Sequence, residues 1–166
     1  MKRWLVRAFL LACLAGLGIW AWTLLFPNPE KIIRKRLAKL GQLASVNSKE
    51  SPLSQAVISK RLGTFFSSDI EVAVDVEGGE VYTFHGRAEF MQAVTLARSY
   101  VNGLEVQLID PQVNVAPDRQ SAVVELGVLA KIGAEKDVDF RALRLTFQKI
   151  EGDWLITRAE TIKMPK

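Results

Sequence analysis

His85 is the only histidine in the 166-residue chain and lies within YTFHGRAEFMQAV, residues 82–94. An imidazole can serve as a general acid or base near neutral pH, or ligate a metal, and either task needs partners. No Ser or Cys stands in a nucleophile motif such as G-x-S-x-G, and there is no phosphate loop, HExxH or CxxC. The single cysteine, Cys13, cannot form a disulfide within the chain, and one Cys with one His cannot build a structural zinc cluster. Gly86 follows His85 and opens a helix, whose first N–H groups attract anions and disfavour a cation. His85 is therefore expected to be a structural or surface residue, and it is retained as a binding candidate. Asp75 is the second acid–base candidate. It alternates away from Val72, Val74 and Val76, which places it on the polar side of a strand. Tyr100, Phe147 and Trp154 are candidates to line a pocket, although aromatic residues at these spacings equally mark a core.

A different chemistry is offered by Lys31, Arg34, Lys35, Arg36 and Lys39. Five cations on one short segment suit either a solvated helix surface or contact with anionic lipid headgroups, at roughly 1 kcal/mol per basic residue near the surface. The charge of the whole chain is +4, but it is unevenly spread. Residues 64–166 hold eleven basic and sixteen acidic side chains. A nucleic-acid footprint belongs across the folded domain, so the distribution argues against such a partner.

The elements that must position these residues begin with an apolar run. Residues 8–26, AFLLACLAGLGIWAWTLLF, carry no charge over nineteen positions. At about 1.5 Å per residue such a helix spans roughly the 30 Å hydrocarbon core. Lys2, Arg3 and Arg7 precede it, and Trp4, Trp20 and Trp22 lie toward its ends, where indoles favour the interface. The run ends in Thr-Leu-Leu-Phe-Pro without an A-x-A site, so an uncleaved anchor over 1–26 is expected rather than a signal peptide. The short basic tail favours an extracytoplasmic domain, while the cations after the span pull the other way.

After Pro27, Asn28 caps a helix that begins at Pro29 and runs to about Val46, with Ile33, Leu37, Leu40 and Ala44 on one face. Ser51-Pro52 opens a second helix with Leu53, Val57, Ile58 and Leu62 on its apolar side. The period then changes to two: a strand through Ile70–Val76, a Gly78-Gly79 turn and a short return at Val81–Phe84. Gly86 opens a third helix, with Glu89 placed to cap it and Phe90, Val94, Ala97 and Val101 as its stripe; Asn102-Gly103 ends it. Four more strands follow. The first changes parity at Asp110-Pro111, as a bulge would, and the last two are joined by a tight turn at Glu151-Gly152-Asp153. The expected class is α+β: three helices on one face of a bent antiparallel sheet, preceded by one transmembrane helix, with a domain over 27–166 and its core at about 30–163.

The phrases FFSSDIEVAVDV, FHGRAEFMQAV and KIEGDWLITRAE, in this element order, resemble the nuclear-transport-factor-2-like superfamily. That cone-shaped fold is shared with SnoaL-like cyclases and ketosteroid isomerase. The resemblance implies a pocket between helices and sheet. In the isomerase-like enzymes it implies a base near the end of the first strand, where Asp75 falls, a tyrosine on the first helix, and a second acid near Leu143. No tyrosine precedes Tyr82, and Leu143 is aliphatic, so two of the three roles stand empty. A span followed by a cone also resembles, in architecture alone, the inner-membrane assembly subunit of type IV secretion systems. The expectation is a single-pass membrane protein, of bacterial inner-membrane type, displaying a non-enzymatic binding or assembly module, with no cofactor or metal. Its expected partners are the membrane, a second copy through the sheet and a protein of the envelope. A small-molecule enzyme or a cone that holds a small hydrophobic ligand is the alternative.

Overall fold

The structure, a computed structural model, describes residues 28–47, 51–76, 80–101, 103–133 and 138–162. The proposed anchor lies outside them. Among the described residues no helix is long and apolar enough to cross a membrane.

Among the described residues, three helices and six strands follow one another as α1 (Pro29–Ala44), α2 (Pro52–Gly63), β1 (Phe66–Val76), β2 (Glu80–His85), α3 (Arg87–Tyr100), β3 (Leu104–Val115), β4 (Ser121–Ile132), β5 (Val138–Ile150) and β6 (Asp153–Ile162). The α+β class and the element order agree with the sequence reading. The Asn28 side chain accepts from the Glu30 N–H and Ser51 from the Ser54 N–H, each followed by proline in the first turn. Both helices thus start where capping chemistry places them.

The sheet order is β2-β1-β6-β5-β4-β3. The sheet is mixed rather than antiparallel throughout: β1 runs parallel to β6, with Val72 opposite Ala159, while all other neighbours are antiparallel. The two antiparallel pieces, β1–β2 and β3–β6, were legible as local hairpins. Their junction is a pairing between strands more than seventy residues apart, which alternation cannot encode.

The inner face carries the core. Ile70 and Val72 of β1, Val124 and Leu126 of β4, Leu145 and Phe147 of β5, and Trp154 and Ile156 of β6 are buried against Ile33 and Leu37 of α1. Phe66 meets Phe90 of α3 edge to face, with ring centroids 5.1 Å apart, a favoured aromatic geometry. The parity change in β3 is a bulge. Ile109 pairs with Gly127 and Gln112 with Glu125, leaving Asp110 at φ 47° between them. The β5–β6 turn has Glu151 at φ 52° and Gly152 at φ 93°. Two successive positive φ values form the type I′ turn that matches strand twist.

Three local expectations are corrected. α1 stops at Ala44, not Val46, because Ser45 is extended and Val46 joins Leu104 in a β-bridge. The Ser45 hydroxyl donates to Gly41 O and accepts from the Val106 N–H, stitching that exit to β3. On α2, Leu53 is 76% exposed and Val57 46%, so of the expected stripe Leu62 is buried and Ile58 half-buried. On α3, Ala97 is exposed and the buried residue is Arg98.

Candidate functional site

Two groups of candidates were set apart by residue type, and the fold treats them differently. Of the pocket candidates, Phe147 and Trp154 are buried in the central core. Tyr100 is the last residue of α3 and is 81% exposed. His85 ends β2 opposite Glu71 and is exposed. Its main-chain N–H donates to Glu89 Oε2 at 3.0 Å, while the Gly86 N–H donates to Ile70 O at 2.8 Å. Gly86 has φ 85°, a value costly for any residue with a Cβ. The His-Gly step is therefore the joint at which β2 turns into α3, and Glu89 closes it from inside the helix.

Asp75 is half-buried near the end of β1. Its N–H donates to the Thr161 hydroxyl at 3.3 Å, and its carbonyl accepts from the Arg141 guanidinium. Leu143, in the position that the isomerase-like pattern reserves for an acid, is opposite Thr161 of β6 and half-buried. The five pocket candidates thus divide between a packed core, a strand end and the outer surface. Among the described residues no group of three or more His, Cys, Asp or Glu could hold a metal.

The basic candidates do converge, in part. Ile32, Lys35, Arg36, Lys39 and Leu43 recur along one face of α1 and line an open groove of about 660 Å³. Its other wall is Arg61, Thr64 and Phe65, from the end of α2 and the turn after it. Arg36 is fixed there. Its guanidinium carbon is 5.1 Å from the Phe65 ring centroid, and the group donates to Thr64 O at 3.2 Å. Asp153 lies 3.7 Å from Arg36 and is itself mostly exposed. Lys35, Lys39 and Arg61 have no ion-pair partner among the described residues. Arg34 turns elsewhere: it pairs with Glu30 at 2.9 Å and donates to Pro111 O, the carbonyl freed by the β3 bulge. Lys31 is exposed and is not part of the groove lining.

Two residues escaped the sequence reading. Arg61 joins the groove only because α2 packs back on α1. Arg98 is 5% exposed and donates to the carbonyls of Leu43, Ala44 and Ser45 at 3.0, 2.9 and 3.4 Å. The signal for it was present: Phe90, Val94 and Arg98 are four apart, so an arginine occupies the apolar stripe.

The outer face of the sheet carries a row of charges. Arg144 of β5 contacts Glu125 of β4 at 2.8 Å and Glu160 of β6 at 3.3 Å, and Glu160 also meets Arg158. The hydrogen bonds that Arg144 donates to Glu125 and then to Glu160 push its pKa up from its already high value. Exposed Val123 and Phe140 flank this row.

No family model matches this chain, and no curated protein matches it. Solved structures do. One is a nuclear-transport-factor-2-like protein with a cystatin-like fold from Novosphingobium aromaticivorans, 20% identical, covering 89% of this chain and 88% of its own, with a TM-score of 0.63. A second, from the same organism, is provisionally assigned as a scytalone dehydratase; it is 16% identical over 81% of this chain and 84% of its own, with a TM-score of 0.62. A third, an uncharacterised protein with a cystatin-like fold from Caulobacter vibrioides, is 13% identical over 82% and 89%, also at 0.62. At these identities the likeness concerns the fold, which serves unrelated functions. The described residues share the cone fold of nuclear-transport-factor-2-like, cystatin-like proteins.

Proposed function

We propose that the chain is a membrane-anchored, non-enzymatic binding or assembly module of the cell envelope, with its domain outside the cytoplasm. One observation carries the non-enzymatic part. Two of the three groups in the isomerase-like pattern are missing: no tyrosine precedes Tyr82, and Leu143 stands where the second acid belongs, which leaves Asp75 without its partners. The anchored part is supported by the nineteen uncharged residues of 8–26. A second copy through the outer sheet face and a protein partner complete the proposal.

The test is fractionation followed by co-purification. The full chain is expected in the membrane pellet after carbonate and high-salt washes, since a span of this length outweighs ionic contacts. A reporter fused after Lys166 is expected to be active outside the cytoplasm. Affinity capture from neutral detergent is expected to bring a stoichiometric protein partner. Release by salt alone rejects the anchor, and cytoplasmic reporter activity reverses the topology.

The likeness to a protein assigned as a dehydratase supports a second reading, a small-molecule enzyme that uses the cone. Asp75→Asn separates the two: loss of small-molecule binding in a stably folded Asp75→Asn protein favours the enzyme.

A further inference from the structure

We propose that the α1–α2 groove is a binding site for the phosphate headgroup of an anionic phospholipid. The groove gathers Lys35, Arg36, Lys39 and Arg61 around one opening, and the mostly exposed carboxylate of Asp153 lies 3.7 Å from Arg36. Three of these four cations have no ion-pair partner among the described residues. Like charges held together repel, and an anion between them relieves the repulsion.

The geometry suits a phosphate. Lys35 and Lys39 are four residues apart on α1, so their stems leave the helix about 5–6 Å from one another and can converge on one anion. Arg61 stands on the facing wall, and a guanidinium offers the paired N–H groups that match phosphate oxygens. Arg36, held by Thr64 and Phe65, supplies a fixed charge without needing to move.

The apolar lining decides between a lipid and a free phosphate. Ile32, Leu43 and Phe65 line the same groove. Inorganic phosphate gains nothing from them, whereas a lipid can lay the glycerol and the first methylenes of its chains there. The volume, about 660 Å³, lies in the range of small-molecule sites. α1 also begins at Pro29, three residues after the apolar run ends at Phe26, which keeps the groove beside a bilayer. This last step rests on the anchored reading above. The proposal narrows the basic segment to a site: Lys35, Arg36, Lys39 and Arg61 belong, and Lys31 and Arg34 do not.

The experiment is native mass spectrometry of the full chain from a neutral detergent, titrated with phosphatidylglycerol or phosphatidylcholine, with and without millimolar inorganic phosphate. One phosphatidylglycerol per chain is expected, with phosphatidylcholine binding much more weakly. Arg61→Gln is expected to weaken binding roughly 5-fold and the double substitution Lys35→Gln/Lys39→Gln roughly 25-fold, from the usual attraction per basic residue. Lys31→Gln and Arg34→Gln are expected to leave it unchanged. All substituted side chains are exposed, and an unaltered melting temperature confirms the fold of each variant. Equal binding of the two lipids overturns the proposal, as does full displacement by millimolar phosphate or an equal effect of Lys31→Gln. Carbonate extraction of the same chain reads the anchor separately. A chain that resists extraction but does not select phosphatidylglycerol rejects the site and leaves the anchored module standing.

Discussion

The guanidinium of Arg98 on α3 donates to the carbonyl of Ala44, the last residue of α1, at 2.9 Å. Leu43 O and Ser45 O accept from the same group. A helix ends with carbonyls that lack intrahelical partners and with negative dipolar charge. α1 has no basic residue in its own last turn, and α3 supplies the cation instead. This one side chain ties the helix that bears the basic groove to α3.

Arg98→Met is expected to destabilise the domain by about 3–4 kcal/mol. It takes the donor away from the half-buried carbonyls of Leu43, Ala44 and Ser45 and removes a multiply bonded charge that is itself buried. Arg98→Lys keeps the charge but not the fork, and is expected to recover only part of the loss. Urea titration of the two variants beside the parent checks this. A loss under 1 kcal/mol in Arg98→Met means that water satisfies the α1 terminus equally well.

At the β2–α3 joint, His85 contributes through its main-chain N–H and Glu89 through its carboxylate. His85→Ala retains that bond, so its stability is expected to stay within about 0.5 kcal/mol of the parent. Glu89→Ala removes a cap and is expected to cost about 1 kcal/mol. Thermal melts of both variants decide the matter. The reverse order would place an unrecognised role on the imidazole.

Along β5, Leu145 is buried between Val124 and Ala159, whereas Leu143, two residues earlier on the same face, is half-buried. Leu145→Asp is expected to abolish or nearly abolish folding, because a carboxylate there has no partner. Leu143→Asp is expected to destabilise by roughly 1–3 kcal/mol, since water reaches it. Asp75→Asn is expected to shift stability by under about 1 kcal/mol: the interactions found for Asp75 use its main chain, which the substitution keeps. Circular dichroism and melting temperatures of the three proteins give the ranking.

On the outer face, Arg144 with Glu125 and Glu160 forms the charged row that a second copy would meet. Arg144→Glu places three acids side by side there. Light scattering is expected to show dimers of the parent domain that fall to monomers in Arg144→Glu, with little change in secondary structure. The same mass for both proteins removes the outer sheet face as a dimer surface. The Glu125 and Glu160 carboxylates hold the Arg144 pKa above its ordinary, already high value. Stability from its charge is complete below that ordinary value and is lost only as pH rises through the still higher folded one, so Arg144 itself contributes no pH dependence near neutrality.

Proline, glycine and the two periodicities determined the helices and strands of this protein. Asn28-Pro29 and Ser51-Pro52 start α1 and α2, Gly86 starts α3, and Asp110-Pro111 is the bulge, because caps, fixed φ and alternation act within a few residues. The cone was legible from that order together with the phrases that resemble nuclear-transport-factor-2-like proteins. What required the tertiary structure was every contact across long separations. The β1–β6 junction is parallel, Leu53 and Val57 stay in water, Arg98 enters the core, and Arg61 completes a groove with Lys35 and Lys39. Periodicity tells which face of an element is apolar, but not which neighbour will cover it or whether one will. A buried arginine becomes tolerable only where three free carbonyls from another helix arrive to meet it, and nothing near Arg98 in the chain announces them.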